Sequence, residues 1–232
     1  NMRLLDTSGS NTKVKKGISE MVRVASLSLY PDPVLCPFSI TAGCADPCLA
    51  ESGRGAFNNV RESRKRKSEF LHNDLPGFLD QLRAELFNFS RVCYRAGVSG
   101  FVRLNTFSDI PFETRKYGYI PQSFPELTFY DYSKCASRIN RLPENYKLMF
   151  SYSSAPKYQR EVRKALKTNV PISAVFAGPF PDRFLDRPVI DGDQSDLNNL
   201  EHTGHIVALK YKAPRDGRKI DIESNPLIIA SS

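Results

Sequence analysis

Six short apolar runs with strand-like patterning, separated by segments long enough for helices, limit this chain's fold more than any other feature. They lie at 22–30 (VRVASLSLY), 100–106, 127–133, 146–153, 171–177 and 205–211. The first stops at Pro31 and Pro33, as a strand should. Between the runs, 56–68 reads as a polar, basic helix. Asn73-Asp74 with Pro76 is a helix-start signal. Leu75, Phe78, Leu79, Leu82, Leu86 and Phe89 then recur at three-four spacing, giving one apolar helical stripe. Shorter helices are expected at 112–119 and 136–142, and Tyr158, Val162, Ala165 and Leu166 mark another. Strands alternating with helices imply a mostly parallel sheet with right-handed crossovers. Six units fall short of the eight in a complete barrel. The expected class is therefore α/β, a partial (β/α)6 TIM-like barrel forming one domain over 20–232. Residues 1–19 have no periodicity and read as a flexible lead-in.

A chain of 232 residues can bury a sizeable core, and 25% charged residues exclude global disorder. No apolar run approaches the roughly 18–20 residues of a membrane span. The polar N-terminus lacks a signal peptide, and Asn1 ahead of Met2 reads as a tag remnant. Five cysteines are an odd number and too few for a disulfide scaffold, so a reducing, cytoplasmic setting is expected.

Parallel α/β folds bind ligands at the C-terminal ends of their strands. Here those ends carry Asn105, Thr106 and Ser108, then Tyr130 and Asp131, then Ser151 and Ser153. Single polar residues at such places are usually satisfied loop groups, but agreement among several ends predicts a shared pocket. Directly after the first strand comes LCPFSITAGCADPC, which holds Cys36, Cys44 and Cys48 in loop 36–48. Buried cysteines are ordinarily small hydrophobes, and a loop rich in Gly, Pro and Asp offers few apolar sites for three of them. Thiolate ligation of a soft or borderline metal is the better reading. Structural zinc prefers closer pairs and four ligands; His72, His202 and His205 are the histidines available as a fourth. An iron–sulfur cluster tolerates the wider spacing and, with three thiolates, leaves one iron open.

The chain's formal charge is +8, and residues 54–67 carry +5 of it through Arg54, Arg61, Arg64, Lys65, Arg66 and Lys67 against Glu62. A basic run is ordinarily a solvated helix face; the functional reading is contact with a polyanion such as nucleic acid. Asp191, Asp193 and Asp196 crowd VIDGDQSDL without the helix–loop–helix setting or terminal Glu of a calcium loop. A hydrogen-bonded turn is the plain reading. The alternative is a pocket corner in which the aspartates pair with Lys210 and Lys212, which share a strand face. The phosphate loop, the nucleophile elbow and the His-Glu-x-x-His pair are all missing.

With its cysteine loop after the first strand, the chain resembles the radical S-adenosylmethionine superfamily, although the Cys-x7-Cys-x3-Cys spacing departs from that superfamily's pattern. More closely, it resembles a phage-encoded group, the gene-product-88-like proteins. The matching stretches are LCPFSITAGCADPCLAESGRG, FVRLNTFSDIPFE, FYDYSK, KLMFSYS, VIDGDQSDL and GHIVALKYKA, spanning Leu27 to Ala213. The resemblance implies a [4Fe–4S] cluster on Cys36, Cys44 and Cys48. It also implies S-adenosylmethionine on the open iron, with Asn105, Thr106, Ser108, Tyr130, Asp131, Ser151 and Ser153 along its ribose and methionine parts. Three classes stay open: a radical S-adenosylmethionine-like enzyme, a non-catalytic cluster protein that binds nucleic acid through 54–67, and a zinc-stabilised interaction protein.

Overall fold

A computed structural model describes residues 2–7, 21–45, 47–48, 50, 57–213 and 219–230. The chain forms two compact units: Asn1–Tyr30, Asn58–Asp131 and Leu142–Lys147 make the first, and Pro31–Phe57, Tyr132–Arg141 and Leu148–Ser232 make the second.

The first unit is built on β1 (Leu5–Asp6), β2 (Val22–Leu27), β3 (Ser99–Arg103) and the start of β4 (Leu127–Ser133). β2, β3 and β4 run parallel, with Val24 opposite Phe101 and Val102 opposite Phe129. Val24, Ala25, Ser26 and Leu27 are all buried, as befits a parallel strand covered on both faces. Within the expected lead-in, β1 pairs antiparallel with β2, and Leu4 and Leu5 are buried. Glu85 fixes this segment, its carboxylate accepting the N–H groups of Leu4 and Leu5 at 2.7–3.1 Å. Residues 8–20, which hold most of the lead-in, lie outside the described residues.

Two helices connect β2 to β3. The first, α1 (Asn58–Asn73), buries only Ser68 and Leu71. The second, α2 (Leu75–Ala96), is fully specified locally. Asp74 caps it by accepting the Gly77 N–H at 2.9 Å, and Gly97 ends it at φ 63°, where a side chain would be strained. Phe78, Leu79, Leu82, Leu86, Phe89 and Cys93 form its buried stripe. Each such side chain contributes roughly 1.5–3 kcal/mol by leaving water.

Cys93 is 3% exposed, and burial pushes its thiol above the ordinary value of 9.0, with Arg23 opposing. The folded thiol therefore stays protonated where the unfolded one ionises. Its contribution to stability is complete below pH 9.0 and is lost as pH rises through the folded value. Cys93 is accordingly expected to react with a maleimide far more slowly than the half-buried Cys36, Cys44, Cys48 and Cys135. Peptide mapping after timed labelling checks this; equal rates at Cys93 and Cys135 would refute it.

The second unit contains most of β5 (Tyr146–Ser151), then α3 (Gln159–Leu166), β6 (Ile172–Phe176), β7 (Arg183–Phe184), β8 (Arg187–Asp191), α4 (Asp196–Asn199), β9 (Ile206–Lys210) and β10 (Ile228–Ile229). β5, β6, β9 and β8 follow one another in parallel, and β7 closes a hairpin on β8. β10 adds to β6 in parallel. Its core gathers Phe150, Tyr158, Val162, Ile172, Phe176 and Ile206. The segments 112–119 and 136–142, expected as helices, are 3-10 turns at Arg115–Tyr117 and Ala136–Arg141.

The expected parallel α/β sheet is present, with all six strands in it, but it is not a barrel. Closing six strands requires the outer edges of β2 and β9 to pair with each other. Those edges are already taken, by β1 on β2 and by β8 on β9.

Candidate functional site

In the first unit, Asn105, Ser108 and Asp131 come together at the ends of β3 and β4. The Asp131 carboxylate accepts the Asn105 N–H and the Asn105 side-chain amide, each at 2.8 Å, and the Tyr146 hydroxyl. The same Asn105 amide donates to the Ile110 carbonyl at 2.9 Å. Its oxygen accepts the Ser108 hydroxyl at 2.8 Å and the Ile110 N–H at 2.7 Å. Every polar group of the Asn105 side chain is thus engaged inside the protein. These residues shape the turn after β3 for whatever lies beside it. Tyr130 is buried with its ring edge-on to Phe101 at 6.4 Å. Thr106 is also buried, and its hydroxyl oxygen has no hydrogen-bond partner.

The basic helix α1 packs over the same region. Positions 61, 64, 65, 68 and 71 share one helical face, and Ser68 and Leu71 on it are buried. Ser68 pins this face to the end of β2, accepting the Tyr30 N–H at 2.9 Å and donating to the Tyr30 carbonyl at 3.2 Å. Arg64 lies over the Phe107 ring at 4.3 Å, and the Lys65 ammonium sits 5.6 Å from the Tyr30 ring centre. Cations over aromatic faces gain about 0.5–1 kcal/mol at exposed sites. Arg61, Arg64 and Lys65 are half-buried, whereas Arg66 is exposed. Lys65 also meets Glu62 at 3.1 Å. Lys67 serves a different purpose: its ammonium donates to the Leu4 carbonyl at 2.8 Å, anchoring the segment before β1. Burial lowers its pKa against the pull of Glu85 and Asp6. Arg54 lies outside the described residues.

The second unit holds the cysteine loop and the polar ends of β4 and β5. Asp32 opens the loop by accepting the Val34 and Leu35 N–H groups. A helical turn over 38–42 ends at Gly43, whose φ is +69°. The Gly43 N–H donates to Ile40 O and the Cys44 N–H to Ser39 O, the two bonds of a glycine-terminated helix end. A Cβ on Gly43 would also lie 2.6 Å from Pro226, so the position excludes side chains twice over. Ser153 ties the loop to the end of β5, donating to the Ala42 carbonyl at 2.7 Å. Phe38 lies edge-on to Tyr158 at 5.9 Å. Beside them Lys134, directly after β4, donates to the Ser151 hydroxyl at 2.9 Å and sits over the Tyr158 ring. The Tyr158 hydroxyl donates to the Lys134 and Ser151 carbonyls. Sequence reasoning missed Lys134, although its place at a strand end carries the same signal as Ser151.

Cys36, Cys44 and Cys48 are each half-buried on this loop. Among the described residues no group of three or more His, Cys, Asp or Glu side chains is placed to hold a metal ion. His202 and His205 face each other edge-on at 5.8 Å.

The acidic stretch is a hydrogen-bonded corner between β8 and β9. Asp193 accepts the Lys210 N–H at 2.9 Å and the Lys212 ammonium at 3.1 Å, and Asp191 accepts the Asp193 N–H. Asp196 accepts the Tyr132 hydroxyl at 3.0 Å. Lys210 meets Asp193 through its backbone, so Lys212–Asp193 is the ion pair here. With the Lys212 side chain 62% exposed, that pair is worth less than about 1 kcal/mol.

The chain matches the family model described as Gene product 88 over residues 3–222. No curated protein and no solved structure matches it. The match bears out the resemblance to the gene-product-88 group, and nothing in it supports a likeness to radical S-adenosylmethionine proteins. No helix among the described residues is long and apolar enough to cross a membrane.

Proposed function

This chain belongs to the gene product 88 family, and we propose that it binds nucleic acid through α1, with Arg61, Arg64, Lys65 and Arg66 neutralising backbone phosphates. One observation carries the reading. Arg64 and Lys65 do not stream into solvent, as a merely solubilising face would. They are held on Phe107 and Tyr30, at the C-terminal ends of β3 and β2, where parallel α/β folds bind ligands. The rings keep both cations at those strand ends, and guanidinium and ammonium groups both suit phosphate oxygens. Phosphate contacts of this kind give affinity without sequence information.

The test is a salt titration with a fluorescent single-stranded 12-mer. Four neutralised phosphates give a slope of log K against log salt of about −3. Affinity that ignores salt, or no binding at 50 mM salt, would sink the reading.

A second reading places a thiolate metal site on Cys36, Cys44 and Cys48. What favours it is their partial exposure on an ordered loop at the end of β5, in contrast to the buried Cys93. A metal would then organise the thiols as it binds, coupling affinity to loop order. Iron and sulfide counts after anaerobic purification test it, with zinc measured alongside. Metal below about 0.1 per chain in both would dismiss it, and S-adenosylmethionine chemistry with it.

A further inference from the structure

We infer that the outer face of the last turns of α2 is a stacking platform for the bases of single-stranded nucleic acid, with Phe87 and Tyr94 as its rings. The inference deepens the nucleic-acid reading above and rests on it. Its starting point is exposure. Phe87 is 56% exposed and Tyr94 88%, on a helix whose other face is buried. Apolar residues scattered singly over a surface need no explanation. These two are ordered: Phe87, Arg91 and Tyr94 follow one another at i, i+4 and i+7, along one line of the helix opposite the buried stripe. The Arg91 guanidinium lies over the Phe87 ring, 5.7 Å from its centre.

The setting is cationic. From Leu86 to Val98 the chain carries Arg91 and Arg95 and no acidic residue, and both arginines are exposed. Arg23 adds a third charge from the sheet. It pairs in register with Gly100, and a Cβ on Gly100 would lie 3.1 Å from the Cys93 sulfur, so Arg23 lies on the α2 side of the sheet. Glu126 stands on the flank, where it accepts the Ser90 hydroxyl at 2.6 Å. Beside Tyr94 is an open hollow of about 510 Å³, lined also by Met21, Cys93 and Val98, within the size range of small-ligand sites.

Rings set apart by a cation do not make the contiguous apolar patch that marks a protein partner's site. They are the arrangement of a single-strand groove, in which bases stack on aromatic faces and arginines take the phosphates. About 10 Å of helix separates positions 87 and 94, so each ring takes a different base. A duplex keeps its bases stacked inside and offers none to either ring, so the platform selects unpaired strands. Arg64 and Lys65 stand at the other end of the same sheet strands, and the nine residues from Met21 to Tyr30 span at most about 30 Å. A 12-mer at about 3.4 Å per stacked nucleotide covers that distance. One strand is thus within reach of α1 through its phosphates and of α2 through its bases.

The test compares an oligothymidine 12-mer with an abasic 12-mer of the same sugars and phosphates, on the wild-type chain and on the double variant Phe87→Ala, Tyr94→Ala, by fluorescence anisotropy at 0.1 M salt. The wild type is expected to bind the strand with bases roughly 30-fold more tightly, the lower end of what two stacked bases supply. The double variant binds both strands alike, at the abasic level, and keeps its salt slope because no charge has been removed. Both side chains are mostly in water, so their removal leaves the fold intact. The chain has no tryptophan, so Tyr94→Trp supplies a single reporter, whose fluorescence the thymidine strand quenches and the abasic strand does not. Equal affinity of the wild type for the two strands, or an unquenched reporter in the bound complex, would overturn the platform while leaving the α1 reading standing. A wild type that sediments as a dimer, where the double variant is a monomer, would assign this face to a second copy and overturn it too. Failure of the wild type to bind either strand would remove the reading on which the platform rests.

Discussion

Alanine at Arg61, Arg64, Lys65 and Arg66 together is expected to weaken single-stranded DNA binding by roughly 100-fold at 0.1 M salt and to flatten the salt slope by about 3. The same number of contacts governs both numbers, so they must move together. A large loss of affinity with an unchanged slope would mean that folding, not phosphate contact, had been damaged. The necessary control is charge removal elsewhere. Arg160, Arg163 and Lys167 are exposed on or directly after α3. Their triple alanine variant lowers the chain's net charge by three without touching α1. If binding follows net charge alone, both variants weaken it in proportion. If α1 is the interface, the α3 variant changes affinity less than about threefold through long-range steering only. Loss of the Arg64–Phe107 and Lys65–Tyr30 contacts costs about 1–2 kcal/mol of stability. Thermal melting therefore accompanies the titration, which is run well below the variant's Tm.

Much of the fold can be read from the chain because its signals are local. Asp74, Pro76 and Gly97 bracket α2, and the three-four stripe fixes which face it buries. β4 runs over the residues its pattern predicts, Leu127–Ser133. Barrel closure was beyond reach, since it turns on which edges are already paired. β1 is two residues long, and its approach is held by Glu85 and Lys67, both distant in sequence. β8 hides its strand character behind the polar VIDGDQSDL stretch, half-buried rather than core. The site divides the same way. Asn105, Ser108 and Asp131 are conspicuous as polar residues at strand ends, but no pattern says that they satisfy one another. The cations of α1 are plain in composition. That Arg64 lies on Phe107, while Lys67 turns back to Leu4, depends on helix phase against a sheet.

Asp131→Ala is expected to cost the fold roughly 3–5 kcal/mol, the loss characteristic of a broken buried hydrogen-bond network. Asp131 is 1% exposed, and its carboxylate accepts the Asn105 backbone N–H, the Asn105 side-chain amide and the Tyr146 hydroxyl. Truncation strands all three where water cannot replace the lost acceptor, each at about 1–3 kcal/mol before relaxation. Asp131→Asn keeps one carbonyl oxygen but turns an amide N–H₂ toward a donor, so it is expected to lose about half as much. Asn105→Ala removes the side-chain partner and frees the Ser108 hydroxyl and the Ile110 N–H. Because Asn105 and Asp131 act on each other, the double variant should fall short of the sum of the singles by about 1 kcal/mol or more. Urea unfolding of the four chains measures this cycle. Additive effects, or a single-variant loss below about 1 kcal/mol, would show that the network does not set the turn. The turn it sets carries Phe107, on which Arg64 rests, so Asp131→Asn is also expected to lose affinity for single strands in step with its loosened loop.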